Sequence, residues 1–498
     1  MMKQTVELPF IVTTSVAKPD AKTQSFIRSH VMKGKNKGKA YHIRRGGSRT
    51  SARAGVAVDA ESPLQGPTIW EYRPLGFIPK RVGSELAFIP FADEIDSSLA
   101  APVVKFISVS KAPLFPLESC IDFSEAPRAS WVETLCTDAA YLNATVFSVQ
   151  VYYDLLAGRD LEPVSPLTPT YTSYSKTVRF LRERLGDKDE QLKLSDNTVM
   201  VVLILACHAH RLGQYGIARN HMVGLRKIVD MRGGITALKT RAKLLIEIFR
   251  CDLGMALHTG FNPIFFSDPC VEEFIPYPTR FSFSIPPEFR FNEAQLVNSH
   301  DLGITDVELG KVWDTMQAFC SLINYAAKSE RKMPQQLFLD TMASGMYRLI
   351  SMKFPIDSLD EAVRLGLSAF CSHIFLQWSN ARLPHRHLPT MYKECLAERL
   401  RSGMGPSGLM PWFVMVGAMA VFPKGDTWLE PWLRWATGMS DSGSWGEVRA
   451  RLRTLLWIDF VHDRYGADIY NSVHRPNTFD RGDNYTAQGY LQVESSLS

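Results

Sequence analysis

The chain has 498 residues, 45% of them hydrophobic and 21% charged, with a formal net charge of +5. That composition is ordinary for a globular protein and ample for a large core, and the length allows two to four domains or one large helical one. Two apolar runs, Val199 to Cys207 and Met410 to Phe422, fall short of the roughly 20 residues a bilayer span needs, and the opening MMKQTVELPFIVTT has no sustained apolar core behind a basic flank. The expectation is a soluble, intracellular protein with no membrane partner.

The N-terminus is different in kind. Residues 1–55 carry twelve Lys and Arg against Glu7 and Asp20, a balance of +10, so the remainder sums to −5. This composition reads as a basic, mostly disordered tail. Its candidate nucleic-acid or import-signal residues are Arg28, Lys33, Lys35, Lys37, Lys39, Arg44 and Arg45, and phosphate contact through them would be indifferent to sequence. Residues 56–130, rich in Pro, Gly and Ser, read as an irregular linker that could dock on the domain C-terminal to it.

An all-α, single large multi-helix domain is expected over residues 131–470. Trp131 opens a first helix running to about Ala157, and after Pro163, Pro166 and Pro169 a second helix turns Val178, Leu181 and Leu185 inward. Ser195 or Asp196 is a suitable N-cap for the next. That helix is apolar on every side from Val199 to Cys207, the pattern of a central rod buried by its neighbours.

A following helix repeats Ala218, Met222, Leu225 and Val229 on one stripe and stops at Gly233-Gly234, where a residue without a Cβ can turn left-handed. A further helix places Leu238, Ala242, Leu245, Phe249 and Ala256 on one face, with Lys243, Glu247 and Arg250 opposite. Asp252 breaks the apolar face of that helix. A buried carboxylate must be paired, and the nearest candidates in sequence are Arg232 and His221. Two readings stand: a catalytic acid or base, or a structural tie between helices, and a lone carboxylate without a clustered partner favours the tie.

Eight aromatics and five prolines between Phe265 and Gly303 exclude a persistent helix and point to an ordered loop with its rings laid on the helices. Helices resume from Asp306 and continue to about Tyr470. Residues 471–498 read as a polar C-terminal tail.

Motifs of turnover chemistry do not assemble. Gly403 to Gly408 is a formal G-x-G-x-x-G, but a charged helical sequence precedes it where the dinucleotide fold needs a strand, so it reads as a helix–helix connector. Cys207, His208 and His210 point to different helix sides, and His385 and His387 lack neighbouring ligands, whereas zinc needs three or four that converge. Eight scattered cysteines without a C-x-x-C favour reduced thiols. There is no G-x-S-x-G and no P-loop. The expectation is no enzyme, no cofactor and no metal.

The run HMVGLRKIVDMRGG (221–234), followed by RCDLGMAL (250–257) and then Gly260, Pro263 and Phe265, resembles the fungal-specific transcription factor domain. The C-terminal pattern, with Ser444-Trp445, Val448 and Leu452 ahead of Leu456-Trp457-Ile458-Asp459, is similar to the same family. The stretch Phe10 to Lys33, FIVTT through RSHVMK, resembles the N-terminus of members that lack the zinc cluster, and the six closely spaced cysteines of that cluster are absent here. The resemblance implies an all-helical, nuclear, regulator-like protein acting through protein partners and a small-molecule inducer, with DNA contact left to the basic tail. The alternatives are a cytoplasmic helical scaffold that does not bind DNA, and an enzyme built on Asp252.

Overall fold

The computed structural model describes residues 89–109, 114–123, 130–157, 168, 170–268, 272–279, 296–329, 331–377, 386–401, 408–438 and 444–474. The basic residues Arg28, Lys33, Lys35, Lys37, Lys39, Arg44 and Arg45 lie outside them. Of the described residues 74% are helical and 1% lie in strands, so the fold is all-α, with one large helical domain.

The segment expected as an irregular linker carries regular structure at its C-terminal end. Helix α1 spans Ser97–Val109. Its Val103 joins Leu135, Leu142, Val146 and Val149 in a small satellite core. A 3₁₀ turn, Pro116–Cys120, then leads into strand β1, Ile121–Asp122, and both bury their apolar side chains: Leu117 and Ile121 are 1% exposed.

The single helix expected from Trp131 is two, α2 (Ser130–Thr137) and α3 (Ala139–Leu156). The break falls at Asp138, whose carboxylate accepts the Tyr141 N–H at 2.9 Å, in the first turn of α3. The same carboxylate takes Arg184 at 2.5 Å and the Asn197 amide at 3.0 Å. Helix α4 (Tyr171–Gly186) therefore docks through Arg184. It buries Leu181, but Leu185, expected to face inward, is 44% exposed.

Helix α5 (Asp196–Arg211) begins as expected at Ser195, whose Oγ accepts the Thr198 N–H. Helix α6 (Tyr215–Met231) buries Ala218, Met222, Leu225 and Val229 completely. It is closed by Gly233 and Gly234 at φ 97° and 79°, where a Cβ would be strained. Helix α7 (Ala242–Thr259) comes next. Arg250, expected on its polar face, is instead buried: it ion-pairs with Glu118 of the 3₁₀ turn at 2.7 Å, donates to the Phe375 carbonyl at 2.9 Å and lies 3.6 Å over the Phe115 ring.

Helix α8 (Val307–Ser329) leads into strand β2 (Met333–Pro334), which pairs in parallel with β1, Ile121 opposite Met333. Then come α9 (Gln335–Ser351) and α10 (Leu359–Cys371), the latter running into a π turn, Ser372–Leu376. The last helices are α11 (His387–Arg401), α12 (Met410–Ala420), α13 (Glu430–Gly438), α14 (Trp445–Thr454) and α15 (Asp459–His474). Most of Gly403–Gly408 lies outside the described residues, but α11 precedes it and α12 succeeds it, which is a helix–helix connection and not a strand–helix one.

The fully encased rod is not α5. Met200, Ile204 and Cys207 of α5 stay half-buried, whereas every residue of α12 is buried. Gly366 of α10 makes room for this: a Cβ there would meet the Trp412 ring at 2.5 Å. Among the described residues one stretch, Glu190–Arg211, is long and apolar enough to cross a bilayer, and half of its apolar window is buried within the domain, as in the core helix of a folded protein.

Candidate functional site

A recess lies where α5 ends, α6 begins and the second half of α7 runs past them. Gly213 turns the chain between α5 and α6 at φ 72°, which sets His210 and Tyr215 side by side with rings 5.4 Å apart. From α7, Asp252, Met255, Ala256 and Thr259 line the wall; spacings of three, four and seven put them on one helix face. Gly260, at φ 73°, ends α7, and residues 261–264 fold back as the rim. The cavity holds about 100 Å³ and is also lined by Arg219 and Asn262. That is room for on the order of three waters or one small organic molecule.

Asp252 fastens the rim. Its Oδ1 accepts the Ile264 N–H at 2.7 Å, and its Oδ2 accepts the Phe265 N–H and the Tyr347 hydroxyl, each at 3.0 Å. Burial pushes its carboxyl up to about 6, opposed by those donors and by the Arg219 charge. The tie reading fits this geometry, with partners other than those expected. Arg232 pairs with Asp196 at 2.7 Å, and His221 sits half-buried on α6, where burial lowers its pKa. Asp252 joins α7 to the loop after it and to α9, not to the end of α6.

The rest of the loop is held as firmly. Arg226 reaches the Ile264 carbonyl at 3.3 Å and Glu272 at 2.8 Å, and Glu272 in turn accepts the Phe266 N–H. Phe266 is left-handed, at φ 54°, a conformation a bulky residue holds only when its surroundings impose it. Its ring is buried against Tyr347, centroids 4.7 Å apart. The expected ordered loop with rings laid on helices is therefore present from Phe265 to Asp268 and from Glu272 to Thr279.

Histidines gather on the opposite side. His258 Nε2 and the Tyr215 hydroxyl share a hydrogen bond of 2.9 Å, and the His210 ring packs edge-on to His258 at 4.8 Å. The Arg386 guanidinium lies 5.6 Å from the Tyr215 ring, and His387 packs so closely on Gly260 that a Cβ there would meet its Cγ at 2.9 Å. His385 lies outside the described residues. Cys207, His208 and His210 diverge as expected: Cys207 turns to Cys251, His208 to the Phe147 ring, and His210 to His258. Among the described residues no group of three or more His, Cys, Asp or Glu is placed to hold a metal ion.

Sequence reasoning misses Tyr215, Arg219, His258 and Thr259. The seven-residue step from Asp252 to Thr259 is the available signal for the α7 wall, but nothing local announces the α5–α6 turn that faces it. Fold and site together define an all-α domain with a small, mostly apolar recess. Compared with protein-family models, curated proteins and solved structures, the chain finds no match.

Proposed function

We propose that this protein works by binding, as a transcription regulator-like chain. Its helical domain engages protein partners, its recess takes a small-molecule inducer, and its basic tail adds sequence-indifferent contact with DNA in the nucleus. One observation carries the reading. The residues that resemble the fungal-specific transcription factor domain, 221–234, 250–257 and Gly260, Pro263 and Phe265, are the ones that form α6, the middle of α7 and the rim of the recess. Arg219 and Asn262 offer polar groups for a small ligand, and clefts between helices are where bundles usually place one.

The test is a chromatin occupancy map of the tagged full chain beside one lacking residues 1–55. Discrete enriched sites, weakened when the tail is removed, support the reading. A protein outside the nucleus, or one absent from chromatin, overturns it in favour of a scaffold without DNA contact, which the missing zinc-cluster cysteines favour. Replacing the seven basic residues, Arg28 to Arg45, by Ala and measuring duplex binding at two salt concentrations gives the biophysical counterpart. Removing one phosphate-binding charge lowers the salt slope by about 0.9.

A further inference from the structure

Cys207 on α5 and Cys251 on α7 bring their sulfurs to 3.2 Å across the seam between the two helices. They are 44 residues apart in sequence and both thiols are free. Burial pushes the thiols of Cys120, Cys320, Cys371 and Cys395 up, so those four are poor nucleophiles. Cys207 is different. The hydrogen bond it shares with Cys251, aided by the Arg211 charge, holds it below the usual thiol range against burial and Glu247. Cys251 is pushed well above that range by Cys207, by burial and by Asp252 beside it. Cys207 is half-buried, while Cys251 is 8% exposed.

We infer that Cys207 and Cys251 form a reversible oxidative-modification site, closing to a disulfide when a peroxide reaches the α5–α7 seam. The Cys207 thiolate attacks a peroxide oxygen and the O–O bond breaks. The departing hydroxide takes up a proton as water, leaving Cys207 as a sulfenic acid. The Cys251 sulfur then attacks the Cys207 sulfur. The S–S bond forms, the S–O bond breaks, and the Cys251 proton leaves with the hydroxyl as a second water. Two thiols supply the two electrons that reduce one hydrogen peroxide to two waters. A disulfide needs the sulfurs about 1 Å closer than they stand. Glutathione reverses the bridge by thiol exchange.

The position gives the bridge a consequence. Cys207 lies three residues before His210, and Cys251 directly precedes Asp252, so oxidation would pin two walls of the recess to each other. The inference does not depend on the regulatory reading, since it concerns only these two helices.

The experiment uses the full chain, reduced, treated with graded hydrogen peroxide, alkylated and mapped by mass spectrometry. The expected result is a bridge joining the peptides that contain Cys207 and Cys251, two hydrogens lighter than the free pair and reopened by dithiothreitol. In Cys251→Ser, Cys207 is expected to stop at the sulfenic acid and be captured by dimedone. Three outcomes overturn the inference: both thiols stay fully alkylatable after peroxide, Cys207 bridges to another cysteine, or Cys207 passes to the sulfinic acid without bridging. The wild-type map alone decides this if the serine variant does not fold.

Discussion

Asp252 holds two tendencies in balance: burial favours its neutral form, while three hydrogen-bond donors favour the carboxylate. Burial wins, and the group titrates near 6 in the folded chain, above its unfolded value. Proton counting gives the sign. Between about pH 4 and 6 the folded state keeps a proton that the unfolded state has lost, so stability falls as pH rises through that window. The loss is on the order of 3 kcal/mol once the carboxyl is ionised.

Asp252→Asn removes this titration and turns an amide NH₂ toward the Phe265 or Ile264 N–H, at a cost of about 1–3 kcal/mol for the donor left unpaired. Denaturant unfolding of both proteins at pH 4, 5, 6 and 7 should show the wild-type advantage shrinking as pH rises. A difference constant across that range would contradict a carboxyl held near 6. The unusual carboxylate is visible in the sequence as a charge on an apolar face. Its partners are not, because two are backbone amides of a loop and the third, Tyr347, is 95 residues away. Arg250 misleads for a similar reason. Its helix position looks solvent-facing, and the carboxylate that keeps it buried stands 132 residues earlier.

Among the elements, periodicity serves well where one face meets the core and another meets water. The α6 stripe and its glycine stop can be read directly, because a 3.6-residue repeat is set by local geometry. It serves poorly where a helix is covered all round. Neither the half-open state of α5 nor the full enclosure of α12 has a signature in one sequence, since both depend on which helices arrive from elsewhere. The fit of α10 against α12 shows how tight that enclosure is. Gly366→Ala places a methyl group against Trp412, a side chain pinned by its indole N–H donating to the Leu456 carbonyl at 2.9 Å. Overpacking of this kind costs about 1–3 kcal/mol, so the variant should melt several degrees lower while peroxide still bridges Cys207 and Cys251. An unchanged melting temperature would mean that α10 and α12 have slack enough to admit the methyl group.

For the molecule as a whole, charge is divided lengthwise: +10 in residues 1–55 and −5 in the remainder. Composition marks that division correctly as a division of charge. It does not mark where folding starts, because a segment with Pro and Ser can still dock tightly when its apolar residues reach the core. The stretch from Leu114 to Ile121 is the case in point, buried throughout its apolar residues although its composition looks like a linker.

Anyone shortening this protein will meet that stretch first. A fragment starting at Trp131, where the helical pattern becomes obvious, would lose Glu118 and β1 together, leaving the buried Arg250 guanidinium only the longer 3.4 Å contact with Glu247 as an ion pair and removing the buried Leu117 and Ile121. Breaking a buried ion pair costs about 3–5 kcal/mol, much of what an ordinary domain has to spare. Residues 89–474 should express as a cooperatively melting species and 131–474 as aggregate; equal melting curves would show that the early stretch is a passenger.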